Sequence, residues 1–215
     1  MQGSYILLAS FGVFILIGGA KRILRSFRIS AAAAVIIIIA VILGNIFTPL
    51  NVLNARLYYG TLILGALCLL YLFRGNARTV LENLSALAVI TVLLVIYRIL
   101  IIDRFNVDEL FSEIMLIAGC GISSFILTRS SGQAFSVAVT SIILHNIAYF
   151  IIKGRQILIG DSEMLDLVVY SAFAAVLINE IVFEFVNMLN DRAMSLEFEA
   201  AEIDENADNE PKEHK

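Results

Sequence analysis

Ionisable and amide side chains are rare inside the apolar segments of this sequence, so the few that occur there are the candidates for chemistry. His145 lies near the middle of one apolar segment, with Tyr149 one helical turn away, and Glu180 lies several residues inside another. Histidine is the side chain most readily protonated near neutral pH, and a carboxylate facing it would complete a proton relay. With Glu113 from a third segment, these side chains would line a polar seam for protons, small cations or a polar substrate.

One helical face collects most of the other candidates. At roughly 100° per residue, Asp166, Tyr170, Glu180 and Glu184 fall within an arc of about 80° on one helix. This face must point towards other helices or water, because lipid penalises carboxylates. Together with neighbouring amides, the residues predicted to form the seam are Glu113, His145, Asn146, Asp166, Tyr170, Asn179, Glu180 and Glu184.

A purely structural interpretation of the same residues competes with the seam. Glu113, Asp166 and Glu184 lie within a few residues of the ends of their segments, where headgroups and water reach them. Such residues are more often interfacial groups than ligands. For Glu180 and His145, a functional role and an interhelical hydrogen bond that holds helices together are equally compatible with the sequence.

Seven apolar stretches must position these side chains. Each has about 17 to 23 residues, and a helix needs ~20 mainly apolar residues to cross a bilayer. Hydrophobic residues make up 60% of the chain and charged residues 16%, against about 25% charged in soluble domains. The sequence therefore predicts an all-α, polytopic transmembrane helix bundle with about seven spans, at residues 4–20, 29–47, 57–73, 84–102, 110–127, 134–152 and 164–186.

The predicted domain organisation is a bundle over residues 1–190 and an acidic cytoplasmic tail over residues 191–215. Residues 197–215 contain eight acidic residues and two lysines, so they bury too little apolar surface to fold and are predicted to be disordered. The tail would either dock onto a basic protein partner or remain a solvated terminus. Between the last two spans, residues 153–163 are expected to form a short interfacial hairpin or dip.

Basic residues set the predicted orientation. One side of the bundle carries eight, and the other carries four, or five if Arg98 reaches outward. The first loop is the densest and should dominate, which places the N-terminus outside and the C-terminus in the cytoplasm. The first span is expected to be retained, because basic residues follow it where a cleavage site would need small ones. The eight basic residues are Lys21, Arg22, Arg25, Arg28, Arg74, Arg78, Arg129 and Arg192.

Catalytic and metal-binding motifs are missing from the sequence. It contains no phosphate-binding glycine-rich loop, no His-Glu-x-x-His and no Gly-x-Ser-x-Gly elbow. With two histidines in all, a histidine-based metal site is not expected, and Cys68 and Cys120 are interpreted as small apolar fillers. We therefore predict no enzyme activity, no catalytic residues, no cofactor, no metal and no nucleic-acid partner. The expected partners are the bilayer, a proton or small cation, and a second copy of the chain.

Short motifs follow one another in a recognisable order along the apolar region. They are Lys21-Arg22-Ile23-Leu24-Arg25, Thr48-Pro49-Leu50, Ser130-Ser131-Gly132-Gln133-Ala134-Phe135, Ile159-Gly160-Asp161, Met164-Leu165-Asp166 and Ala174-Ala175-Val176-Leu177-Ile178-Asn179-Glu180. Over about residues 4–186 this order resembles an uncharacterised family of multipass prokaryotic membrane proteins, the domain-of-unknown-function family numbered 1614. The resemblance implies a protein of a bacterial or archaeal cytoplasmic membrane without an assigned activity. A short sporulation-associated membrane protein family has comparable size and helix count.

Two functions of different classes follow from these observations. The first is a small transporter or ion- or proton-conducting protein that uses the polar seam of spans five to seven. The second is a non-catalytic scaffold or assembly protein that binds partners through its loops and acidic tail. A polar, water-wide cavity that contains both His145 and Glu180 would favour transport, and a dry, closed bundle would favour the scaffold.

Overall fold

The computed structural model describes residues 3–52, 55–105 and 107–208, and these residues are mainly helical. A π-helical turn, Arg98–Ile102, follows the fifth helix without a break and is called the π turn below. The helices are α1 (Gly3–Leu16), α2 (Lys21–Phe27), α3 (Ala31–Ile46), α4 (Tyr59–Leu72), α5 (Ala77–Tyr97), α6 (Asp103–Phe105), α7 (Glu109–Leu127), α8 (Ser131–Lys153) and α9 (Ser162–Asp208), and the short strands are β1 (Leu50–Val52), β2 (Ala55–Leu57) and β3 (Ile157–Ile159).

Local sequence sets where several helices begin and end. Ser30 accepts a hydrogen bond from the Ala33 amide at 3.2 Å, and Ser130 accepts one from the Gln133 amide at 3.3 Å. Each serine thereby satisfies an amide that a helix start leaves without an intrahelical partner. At the other end of α8, Gly154 adopts φ 63°, a left-handed conformation that glycine tolerates without a steric penalty.

A three-stranded sheet joins the loops at one end of the helices. β1 and β2 pair antiparallel, with Asn51 opposite Arg56, and β2 pairs parallel with β3, with Arg56 opposite Leu158. The predicted hairpin or dip at residues 153–163 is thus a strand that pairs with a segment about 100 residues earlier in the chain. The end that carries this sheet, the π turn and the last turns of α8 is called the strand end.

Each predicted span overlaps a helix, but the seven-span count is not confirmed. Among the described residues, four helical stretches are long and apolar enough to cross a membrane, and α1 with α2 would make a fifth if this pair, bent by 100°, counts as one span. α3 and α4 are apolar but have only 16 and 14 residues. The four long stretches are Ala77–Phe105, Leu110–Leu127, Ser131–Lys153 and Ser162–Asn190.

α8 is the most enclosed helix among the described residues. It packs against α4, α5 and α7, and most of its first half consists of buried alanine, serine, glycine and valine. Small side chains let neighbouring helix backbones approach closely, which is how helices associate in the absence of large interlocking groups. The last turns of α8 therefore belong to a helix that several neighbouring elements hold in place.

The end opposite the strand end carries seven basic residues and is called the basic end. Its elements are joined by polar contacts. Ser26 of α2 accepts a hydrogen bond from the Gly132 amide at 2.7 Å through Oγ, and from the Tyr71 hydroxyl at 2.7 Å through its carbonyl. The basic residues near this end are Lys21, Arg22, Arg25, Arg28, Arg74, Arg78 and Arg129.

The chain divides into two compact units at residues 179 and 180. The first unit contains all elements up to residue 179, including the start of α9. In the second unit, the α9 backbone remains helical from Glu180 to Asp208. It therefore continues into the predicted tail, where glutamate and alanine are good helix formers. The predicted disorder over residues 191–208 is not confirmed, and residues 209–215 lie outside the described residues.

Candidate functional site

A cluster of polar side chains surrounds Tyr149 at the strand end. The Arg98 guanidinium lies 4.0 Å from the centre of the Tyr149 ring, a cation–π contact, and its Nη1 donates to Asn146 Oδ1 at 3.3 Å. The Tyr149 hydroxyl donates to Asp103 at 3.1 Å, and Lys153 Nζ lies 2.7 Å from the same carboxylate. Residues from the α5–π turn–α6 segment and from α8 thus form one connected cluster, called the strand-end cluster.

The π turn is the reason that Arg98 and Asp103 reach the same ring. Five residues of α-helix rotate by about 500°, which would leave their side chains about 140° apart around the axis. Here the Asp103 amide donates to the Arg98 carbonyl, the i to i+5 bond of a π-helix. Residues five apart then lie on nearly the same face, so both charged side chains point towards α8.

His145 lies one turn inside this cluster. It is 1% exposed, and its ring centre lies 6.5 Å from that of Tyr149 with an interplanar angle of 30°. No described residue hydrogen-bonds to His145 Nε2. Asn146 next to it is also buried and donates to the Leu158 carbonyl of β3 at 3.3 Å. His145 and Tyr149, one turn apart, therefore lie on the same face of α8.

Each charged side chain of the strand-end cluster has a partner within the cluster. Asp103 lies between Lys153 and the Tyr149 hydroxyl, and Arg98 is occupied by the Tyr149 ring and by Asn146. The Lys153–Asp103, Tyr149–Asp103 and Arg98–Asn146 contacts are charge-assisted, and contacts of this kind are the stronger ones in proteins. The arrangement is suited to fastening the π turn to α8 and β3.

Two further predicted residues hold the start of the chain. Asp166 Oδ1 accepts a hydrogen bond from the Ser4 amide at 3.0 Å, and the Tyr170 hydroxyl contacts Gly3. The carboxylate therefore supplies an acceptor for an amide in the first turn of α1, where no intrahelical partner exists. Asp166 therefore forms an interhelical hydrogen bond between α9 and α1.

The remaining predicted residues lie apart from the strand-end cluster or in the second unit. Asn179 accepts a hydrogen bond from Ser131 at 3.2 Å, at the start of α8. His145 is fourteen residues further along α8, about 21 Å at ~1.5 Å per residue, so Asn179 and His145 are not brought together. Glu113 is half-buried near the start of α7. The other two members, in the second unit, are the half-buried Glu180 and the exposed Glu184.

A large cavity lies elsewhere in the first unit, between α1, α2, α3, α4, α8 and α9. Its volume is about 600 Å³, within the range of roughly 300–1,000 Å³ typical of small-molecule sites. Nearly all of its surface is apolar, and neither His145 nor Glu113 lines it. Aromatic rings form part of its wall, such as Phe11 and Phe173, which pack edge to face with ring centres 4.9 Å apart. Its other lining residues include Ile15, Leu24, Phe27, Ala34, Val41, Cys68, Arg74, Phe135 and Ala172.

A second, more open recess of about 500 Å³ adjoins this apolar cavity at the basic end. The two share Leu24 and Ile29 in their walls. The recess is otherwise lined by Ala31 and by three exposed basic residues, Lys21, Arg25 and Arg28.

α2 accounts for this change of polarity because it is amphipathic. Phe27 lies four residues after Ile23 and three after Leu24, and all three line the apolar cavity. Lys21 and Arg25 lie four residues apart on another side of the helix, where both are exposed. Residues at these spacings share a helix face, so one short helix presents hydrocarbon to the cavity and cations to the recess.

The basic residues near this end differ in their partners. Arg78 Nε and Arg129 Nη2 both lie close to Glu82 Oε1, at 3.1 and 3.0 Å. By contrast, Lys21, Arg25 and Arg28 form no ion pair with any acidic side chain in the part of the chain that the structure describes. The positive charge of the recess is therefore not compensated within the described residues.

Sequence reasoning missed both the strand-end cluster and the cavity. Arg98, Asp103 and Lys153 lie near predicted span ends and were not grouped, since α-helical spacing puts the first two on different faces. The cavity is formed by apolar residues from six helices, which no local pattern distinguishes from ordinary core. The basic first loop was a usable signal, but it was interpreted only as an indicator of orientation.

Comparisons of the chain with protein-family models, with curated proteins and with solved structures found no match. The resemblance to the family numbered 1614 therefore stays a prediction, and the functional assignment depends on the geometry alone.

Proposed function

We propose that this chain is a non-catalytic, multipass membrane protein that binds a lipid-like molecule in the apolar cavity. Large apolar side chains are exposed along its helices, for example Ile36 at 65%, Leu70 at 68% and Ile126 at 68%. Exposed apolar surface of this extent marks a membrane or a protein interface. Together with the four long apolar helices, it supports a membrane location.

The observation that carries the proposal is the cavity of about 600 Å³ with its nearly uninterrupted apolar wall. The wall includes core residues such as Ile15, Val41 and Ala172, each no more than 2% exposed, and also exposed residues such as Leu70. A hydrocarbon chain is complementary to such a wall, whereas an ion or a sugar would lose its hydration there without gaining polar partners.

The apolar cavity is a different space from the predicted polar seam, because neither His145 nor Glu180 lines it. Conduction along the seam stays a prediction. The cavity favours the non-catalytic alternative, here with a lipid-like ligand as well as protein partners of the acidic tail.

The proposed orientation places the basic end in the cytoplasm. Basic residues are retained on the cytoplasmic side of membrane proteins, and the first loop contributes four of them. In a prokaryotic cytoplasmic membrane the recess beside α2 would then lie at the level of the inner headgroups, and the cavity would extend from it into the acyl region.

A tryptophan reporter tests the proposal directly, because the sequence contains no tryptophan. Phe173→Trp places one in the cavity wall, and Phe111→Trp places one on α7, where Phe111 is 51% exposed and outside the cavity. In detergent micelles, a lipid with brominated chains should quench the Phe173→Trp emission saturably at low mole fraction. The Phe111→Trp emission should fall only in proportion to the bulk lipid.

A substitution that fills the cavity should abolish lipid binding and is the control for the reporter experiment. Ala172→Phe adds a ring to the cavity wall and should abolish the saturable quenching of the Phe173→Trp reporter. Ala34→Leu, on a different helix, serves the same purpose if the first variant does not fold. The proposal is wrong if Phe173→Trp and Phe111→Trp are quenched with the same linear dependence on brominated lipid.

A further inference from the structure

We propose that the ligand is an anionic phospholipid, with its acyl chains in the apolar cavity and its phosphate headgroup in the recess beside α2. This inference rests on the proposed function, because it assigns the polarity and the direction of the molecule that the cavity binds. It is carried by two adjacent spaces, an apolar cavity and a recess bordered by basic residues, whose linings have Leu24 and Ile29 in common.

The positive charge of the recess indicates that the lipid headgroup is anionic. Lys21, Arg25 and Arg28 line it and are exposed, and none of them forms an ion pair with a described acidic side chain. Arg74, in the turn after α4, lines the apolar cavity. A phosphate diester without a compensating ammonium group would be attracted by this charge, and arginine forms paired hydrogen bonds with phosphate oxygens. A zwitterionic headgroup would gain less, because it carries its own cation.

The fold fixes the direction of the lipid. α2 turns by 100° from the axis of α1, so its apolar side lines the cavity while its basic residues remain exposed at the rim. A short helix with this division is typical of segments that lie at the headgroup level of a membrane. The headgroup is therefore assigned to the basic end, and the acyl chains extend towards the middle of the helices.

The test compares headgroups and charges with one reporter. Phe173→Trp is titrated with phosphatidylglycerol and with phosphatidylcholine that carry identical brominated chains. A preference of about tenfold for phosphatidylglycerol is expected, on the order of one or two basic residues acting near a membrane surface. The preference should shrink as salt is raised, because exposed charges are screened over about 10 Å at 0.1 M ionic strength.

Two double variants, each of which removes two positive charges, test whether the preference for phosphatidylglycerol arises in the recess. Arg25→Gln with Arg28→Gln removes two charges from the recess, and should reduce the preference to about the level of phosphatidylcholine while quenching remains saturable. Arg78→Gln with Arg129→Gln removes two charges that are paired with Glu82 outside the recess, and should leave the preference unchanged.

Each result has a distinct meaning. Saturable quenching that is equal for both lipids in the native background overturns the headgroup assignment and leaves the proposed function intact. Loss of preference to the same extent in both charge variants overturns it as well, because the effect is then one of general surface charge. If neither lipid quenches saturably, the proposed function itself fails.

Discussion

The charged side chains at the two ends of the first unit differ in whether they have partners within the fold. At the strand end, one carboxylate, Asp103, is shared by Lys153 and Tyr149, and the neighbouring guanidinium of Arg98 lies over the same ring. At the basic end, Arg25 and Arg28 face an open recess without acidic partners among the described side chains. The charges at the strand end contact one another within the fold, and in our proposal those at the basic end bind the headgroup of a lipid.

This difference separates charges that stabilise the fold from charges that are available for binding. The strand end also contains a close helix contact, where Gly44 and Gly60 let the α3 and α4 backbones touch, and the buried amide of Asn45 bonds Thr61 and Gly160. The basic end has the recess beside the cavity. We therefore expect substitutions at the strand end to alter stability and substitutions at the basic end to alter ligand preference.

The largest effect is expected for Gly60→Ala. An added Cβ would collide with the Val41 carbonyl and with the Asn45 side chain, and a backbone carbonyl has no room to yield. Overpacking of this kind costs about 1–3 kcal/mol, and here we expect the upper end of that range. The check is the temperature at which the buried thiols of Cys68 and Cys120 become reactive towards a maleimide dye.

A matched glycine supplies the control for this substitution. Gly119, on α7, has no atom within 4 Å of the site where a Cβ would lie. Gly119→Ala should leave the unfolding temperature unchanged or raise it, because alanine favours a helix over glycine by about 0.5–1 kcal/mol. Equal unfolding temperatures for the two variants would show that α3 and α4 are not locked together at the strand end.

An intermediate effect is expected for Asp103→Ala. The substitution removes the acceptor of Tyr149 and the ion pair of Lys153, both of which are partly exposed contacts. We expect a loss of about 1–2 kcal/mol in the free energy of unfolding, the usual magnitude for a hydrogen bond with one charged partner. Asp103→Asn should recover part of the loss. Glu163→Ala, at an exposed position in the first turn of α9, is the control, and a loss as large there would contradict the role of the cluster.

The smallest effect is expected for Glu82→Gln at the basic end. Glu82 pairs with Arg78 and Arg129 at the surface, and such pairs contribute about 0–1 kcal/mol each. The unfolding temperature should hardly change. The variant also tests the comparison of the two ends, because it removes the acidic partner of Arg78 and Arg129, which lie outside the recess. The phosphatidylglycerol preference of the Phe173→Trp reporter should stay the same, and a rise would attribute the preference to the whole basic surface.

Much of the secondary structure is predictable from composition and length. Each apolar stretch of the sequence contains a helix, and Ser130 and Gly154 lie at the two ends of α8. The first predicted span is an exception. α1 ends at Leu16, and the chain turns before α2 through Gly18, which has φ 86°. A pair of glycines within an apolar run was interpreted as a packing site, although here one of them allows a bend.

The candidate sites were much less predictable than the helices. His145 and Asn146 do border the strand-end cluster, and Tyr149 shares their face as expected. The partners across the interface were missed because their spacing is that of a π-helix, which hydrophobic periodicity does not reveal. The apolar cavity depends on where six helices stand relative to one another, and a sequence of leucines and phenylalanines is compatible with both a filled and an open arrangement.

The parallel pairing of β2 with β3 has a consequence for how the protein is made. Residue 55 pairs with residue 157, so about 100 residues must be synthesised before the sheet can close. During that interval α3 and α4, with 16 and 14 residues, are shorter than the ~20 that span a bilayer comfortably. Because chains fold from the N-terminus as they emerge, these two helices reach their final positions only once α8 and β3 have been added. The small sheet therefore completes assembly and couples the early part of the chain to the late part.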